Sequence, residues 1–134
     1  MKITADTNIL VRVAVADHPD QYAAAAKVLR EAETIAITLP ALCEFVWVLR
    51  RLYKRDAGDI AAAIRRLVES ATVSVDRPAV EAGLAQLAAG GDFADGIIAF
   101  EGRRLGGLTF ASFDADAVKR LKAGGAETLL LPAG

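Results

Sequence analysis

Short β-tending runs alternate with helix-periodic stretches along the whole chain. Residues 2–5 (KITA) predict a first strand that ends at Asp6. Thr7 to Ala16 carry Ile9, Leu10, Val13 and Val15, which fits either a short helix or a buried run, and DHPD at 17–20 breaks it. The Ala-rich segment 20–33 predicts a helix, and IAIT at 35–38 a second strand. Thr38 is placed to cap the next helix, with Pro40 in its first turn, where a missing N–H is harmless. That helix is expected over about 40–54, with Leu42, Phe45, Val46 and Leu49 on one side. Asp56 opens a helix to about Ser70, striped by Ile60, Ala63, Ile64, Leu67 and Val68.

TVSV at 72–75 predicts a third strand. Pro78 opens a helix that Gly90-Gly91 ends, and Asp92 caps another to about Leu105. LTFA at 108–111 is a fourth strand, Asp114 to Lys122 a short helix, and TLLL at 128–131 a last strand. The alternation predicts an α/β fold with a central parallel sheet of four to five strands and helices on both faces. No repeat or interior linker breaks residues 1–134, so one domain is expected.

Composition narrows the function. Hydrophobic residues make up 54% and aromatics only 6%, so the core must be aliphatic and rich in Ala. The net charge of -1 excludes general cationic attraction to nucleic acid, and any such contact needs a local basic patch. Candidates are Arg50, Arg51, Lys54 and Arg55, then Arg65 with Arg66, Arg103 with Arg104, and the stretch Lys119 to Lys122; solvated helix ends explain each group equally well. The single cysteine, Cys43, cannot form an intramolecular disulfide and reads as a small buried hydrophobe. The first residues do not read as a signal peptide, and no apolar run approaches the roughly 20 residues of a membrane span, so a cytoplasmic protein without membrane association is expected.

Four acids stand out by position. Asp6 follows the first strand, Glu44 lies early in the helix after the second, Asp95 lies in the first turn of the helix opened by Asp92, and Asp114 follows the fourth strand. Open parallel sheets bind ligands at the carboxyl ends of their strands, which leads us to expect convergence of these acids. At helical offsets of three and four, Glu44 has Pro40, Ala41, Trp47 and Val48, and Asp95 has Gly91, Asp92, Ile98 and Ala99. Neither has a local cation, and burying an unpaired carboxylate is expensive. A divalent ion removes that cost, and an all-oxygen set selects Mg²⁺ or Mn²⁺. Such a centre suits phosphodiester hydrolysis, while no glycine-rich phosphate loop is present. Taken singly, Asp6 and Asp114 are equally well explained as helix caps. Arg12, in an apolar run near Asp6, has the reach either to contact a phosphate or to pair with an acid. His18 reads as a solvated loop residue, and Phe45 and Trp47 as core or dimer packing. The Ala-rich helices at 20–33 and 57–68 read as core packing, with a groove for a partner helix as the alternative.

The segments ADTNIL at 5–10, ALCEFVWVL at 41–49, DFADGIIA at 92–99 and SFDAD at 112–116 resemble, in order and spacing, the PIN-domain ribonucleases, and especially the VapC toxins of bacterial toxin–antitoxin pairs. The resemblance implies metal or catalytic roles for Asp6, Glu44, Asp95 and Asp114, with Asp116 a further acid that some members carry. It implies that Asn8 and Ser112 support the carboxylates by hydrogen bonds. It also implies Mg²⁺- or Mn²⁺-dependent RNA cleavage, a homodimer and a cognate VapB-type antitoxin. Gly96 departs from the family, where Ala is common after the third acid, and weakens its helix slightly. Ala117 stands where an aromatic often follows the last acid. The competing readings are a non-toxin PIN nuclease, a PIN module that binds RNA or a partner without cutting, and a receiver-type phospho-acceptor domain. The last lacks its early acidic doublet, since Thr7-Asn8 follows Asp6.

Overall fold

The computed structural model describes residues 1–132, which form two compact units, Met1–Asp76 and the chain from Arg77 onward. The first unit runs β1 (Lys2–Thr4), α1 (Thr7–Ala14), α2 (Pro19–Glu31), β2 (Thr34–Ala36), α3 (Leu39–Arg51), α4 (Ala57–Val68) and β3 (Val73–Ser74). Its strands are parallel in the order β1-β2-β3, with Ile3 opposite Ile35 and Ile35 opposite Val73. Two helices connect each strand to the next, as parallel neighbours require a crossover. The stripes read from the sequence supply the core: Leu10, Leu42, Phe45, Ile60 and Ile64 are fully buried.

The ambiguous run after Asp6 is the helix α1, with Leu10 and Val11 buried. α3 stops at Arg51, three residues short of expectation, and Lys54 beyond it has φ 54°, a left-handed conformation no helix can continue through. The Ala-rich α2 does not follow the core reading, since it buries Ala25 alone and leaves Ala23 and Ala24 exposed. α4 does pack inward, through Ile60, Ala63 and Ile64.

The second unit runs α5 (Arg77–Ala88), α6 (Phe93–Arg104), β4 (Thr109–Ser112), α7 (Ala115–Ala123) and β5 (Glu127–Leu130). β4 and β5 pair in parallel across α7, with Thr109 opposite Glu127 and Ser112 opposite Leu130. Among the described residues the five strands are thus parallel within each sheet and pair as three and two. α5 ends as the glycine pair dictates. Gly90 has φ 87° and Gly91 N–H donates to the Gln86 carbonyl at 2.8 Å, which satisfies an orphan carbonyl of the last turn. α5 and α6 lie in close contact: a β-carbon on Gly83 would meet the buried Phe93 ring at 2.6 Å. Phe93 therefore seats the first turn of α6, two residues before Asp95. Among the described residues no helix is long and apolar enough to cross a membrane.

Candidate functional site

In the first unit the parallel register brings β1 and β2 to the same edge. The Ala5 N–H donates to the Ala36 carbonyl at 3.0 Å, so the chain leaves both strands side by side, toward α1 and toward α3. Asp6 caps α1, accepting the Thr7 N–H at 2.8 Å. Thr38 caps α3, accepting the Ala41 N–H at 3.3 Å, which places Glu44 in the second turn. Asp6 and Glu44 line one cleft of about 370 Å³, together with Asn8, Arg12, Leu52 and Tyr53.

Both carboxylates are exposed, as is Asp114; Asp95 alone of the four is half-buried. The expectation that Glu44 is a buried charge is therefore corrected. Its apolar sequence neighbours Phe45 and Val46 turn into the core, and the helical turn carries Glu44 and Trp47 outward. Phe45 is thus core, whereas Trp47 is 56% exposed. Asn8 is exposed and makes no side-chain hydrogen bond among the described residues.

In the second unit Asp92 caps α6, accepting the Ala94 N–H at 3.1 Å, and Asp95 follows in the same turn. The Asp95 carboxyl is held above its ordinary range. Partial burial strips it of water, and the charges of Asp92 and Asp114 add to the effect, while Arg120 pulls the other way. Asp114 caps α7: its Oδ1 accepts the Asp116 N–H at 3.0 Å and the Ala117 N–H at 3.1 Å. Ser112 Oγ accepts the Asp114 N–H at 2.9 Å and so fixes the turn after β4. Asp116 is exposed in the first turn of α7. Ala117, the position without an aromatic, is buried.

The sequence-predicted acids thus come as two pairs, one in each unit. Among the described residues no group of three or more His, Cys, Asp or Glu stands together to hold a metal ion. Asp6 and Asp114 serve as caps, which leaves the capping and the chemical roles compatible at both positions, since each cap uses one carboxylate oxygen. The basic pairs Arg50 with Arg51, Arg65 with Arg66, and Arg103 with Arg104 fall in the last turns of α3, α4 and α6, where cations favour the helix dipole. His18 is exposed, and Cys43 is half-buried rather than buried.

Sequence reading listed Arg120 only within the basic stretch Lys119 to Lys122 and gave it no tie to Asp95, on which it acts from α7. Tyr53 lines the Asp6 cleft and holds Arg12, a relationship spanning 41 residues that no local pattern announces.

No curated protein matches the chain. Its structure is similar to the crystal structure of Mycobacterium tuberculosis VapC20, a sarcin–ricin loop cleaving toxin, at 18% sequence identity and a TM-score of 0.45, over 97% of this chain and 100% of that one. Residues 3–123 match the family model of the PIN domain, a span that reaches into both units and includes all four acids, and the chain belongs to the PIN-domain family.

Proposed function

We propose that the chain is a VapC-type endoribonuclease that hydrolyses RNA phosphodiester bonds with Mg²⁺ or Mn²⁺. Asp6, Glu44, Asp95 and Asp114 carry the reaction. The observation that carries this reading is the PIN-domain match over residues 3–123, within which each of these acids keeps its motif. Asp6, Asp95, Asp114 and Asp116 are the proposed ligands. The donor set is carboxylate oxygen, which suits a hard ion. The charge of the second unit fits as well, because the raised Asp95 carboxyl beside Asp92 and Asp114 favours added positive charge. When bound, the ion supplies a Lewis acid for a phosphate oxygen and a more acidic water. The proposal assigns proton transfer to Glu44, which is exposed in the Asp6 cleft and caps no helix.

The resemblance in sequence extends the proposal to a cognate VapB-type antitoxin, a homodimer and a cytoplasmic location. The exposed Trp47 on α3 supplies an apolar surface of the kind such partners use. Purified protein should cleave RNA when Mg²⁺ or Mn²⁺ is added and stop when it is chelated. Asp6→Asn in one unit and Asp95→Asn in the other should each lower the rate roughly 100-fold or more, given several kcal/mol of metal-borne stabilisation. Undiminished cleavage by either variant would remove the assignment. Calorimetric titration showing no metal binding would point instead to a PIN module that does not cut.

A further inference from the structure

Arg12 stands at the meeting of two features of the first unit. It lines the cleft that holds Asp6 and Glu44, and it lines a second cavity of about 420 Å³ beside α2, with Asn8, Gln21 and Ala25. Its guanidinium is held through two of its three nitrogens, Nε and Nη1. Nε donates to Gln21 Oε1, Nη1 donates to the Tyr53 hydroxyl at 3.1 Å, and Nη1 lies 3.6 Å from Asp17 Oδ1. Tyr53 in turn donates its hydroxyl to Asp17 Oδ2 at 3.1 Å, so the three side chains fix the plane of the guanidinium. Nη2 has no partner among the described residues, and its two N–H groups are open to an acceptor. The ion pair is half-open to water, with Asp17 43% exposed, so it is weak and exchangeable.

The charge of the cleft gives this arrangement a use. Its lining holds two carboxylates and one cation, Arg12. A phosphodiester approaching Asp6 and Glu44 is repelled by both, and a guanidinium whose Nη2 keeps both N–H groups open offers charge-assisted hydrogen bonds to phosphate oxygen. We infer that Arg12 binds a backbone phosphate of the substrate strand beside Asp6, with Gln21 and Tyr53 acting as positioning residues that hold the guanidinium toward the cleft. This rests on the nuclease reading above for the identity of the strand, but its test does not depend on cleavage.

The test is the binding of a fluorescently labelled single-stranded RNA 12-mer to the Asp95→Asn protein, measured by anisotropy over a range of salt concentrations. Adding Arg12→Gln should weaken binding about 10-fold, the value of one charged hydrogen-bonded contact. It should also flatten the dependence of log K on log salt by about 0.7, the share of one phosphate on a single strand. Adding Arg12→Lys should weaken binding severalfold with the salt slope kept, since charge stays and the fixed planar donor is lost. Adding Asp17→Asn should leave binding intact or tighter, because it removes a competitor for the guanidinium. An unchanged salt slope in Arg12→Gln overturns the inference. Should Arg12→Gln not fold, Arg12→Lys with parental affinity overturns it equally. A purely structural Arg12 gives a different pattern, in which Arg12→Gln and Asp17→Asn lower the melting temperature alike and leave the salt slope alone. Cleavage by the parent protein with Mn²⁺ is scored separately, so failure of the nuclease reading is distinguishable from failure of this one.

Discussion

Gly96 in α6 faces the backbone of Ala82 in α5 so closely that a β-carbon on it would stand 2.4 Å from the Ala82 carbonyl oxygen. The sequence alone shows only a helix weakened by glycine where relatives carry Ala. In the folded unit that glycine is what lets the two helices touch. Restoring Ala gains about 1 kcal/mol of helix propensity but forces two backbones apart, and overpacking of this kind costs about 1–3 kcal/mol. Packing wins because the neighbouring atom is backbone and cannot rotate away. Gly96→Ala should therefore destabilise the protein by about 1 kcal/mol net in urea unfolding. Gly102, later in the same helix, has nothing within 4 Å of its missing β-carbon, so Gly102→Ala should stabilise by up to about 1 kcal/mol. A stabilising Gly96→Ala would show that the close approach of α5 and α6 is not real.

This contrast marks the boundary of what the sequence displays. Features decided within one turn of chain were legible: the caps at Asp6, Thr38, Asp56, Asp92 and Asp114, the stop at Gly90, and the alternation of parallel strands with helices. Features decided by residues far apart were not. The burial expected of Glu44 came from its apolar neighbours in sequence, but a helix turns 100° per residue, so buried Phe45 sits next to an exposed Glu44. The pairing of five strands as three and two depends on register between elements. The ties of Arg12 to Tyr53 and of Arg120 to Asp95 cross helices and leave no periodic trace.

Asp95 should trade stability for function. Its raised carboxyl pKa means the folded chain holds this proton more tightly than the unfolded chain, whose carboxyl titrates near 3.8. Below the unfolded value the group is protonated in both states and opposes nothing. As pH rises through the interval from the unfolded value to the raised folded one, the unfolded chain ionises first and stability is lost. Above that interval the penalty is complete. Asp95→Asn should accordingly melt higher than the parent at pH 7, and the difference should shrink as pH falls toward the unfolded value. Scanning calorimetry across that range checks the sign, and an Asn variant that melts lower at pH 7 would contradict it.

Metal should reverse the same penalty. Mn²⁺ bound near Asp95 would favour its carboxylate, so the parent protein should gain melting temperature with Mn²⁺. Asp95→Asn should gain less. An equal Mn²⁺-dependent gain in both proteins would place the ion elsewhere.

Asp114 has two duties that substitution can separate. Its Oδ1 accepts two backbone N–H groups at the start of α7, and a cap of this kind is worth about 0.5–2 kcal/mol against Ala. Asn retains an acceptor oxygen in the same place but no charge. Asp114→Ala should therefore lower both stability and cleavage, whereas Asp114→Asn should keep the melting temperature close to that of the parent and still lose cleavage. Asp116 offers its backbone N–H to that cap but no side-chain oxygen, so Asp116→Ala should leave α7 intact. If Asp116→Ala lowers cleavage more than Asp114→Asn does, the nearer contributor to the chemistry is Asp116, and Asp114 is chiefly the cap that presents it. Measured side by side with Ser112→Ala, which loses the acceptor for the Asp114 N–H at 2.9 Å, the series distinguishes a turn that must be rigid from a carboxylate that must be charged.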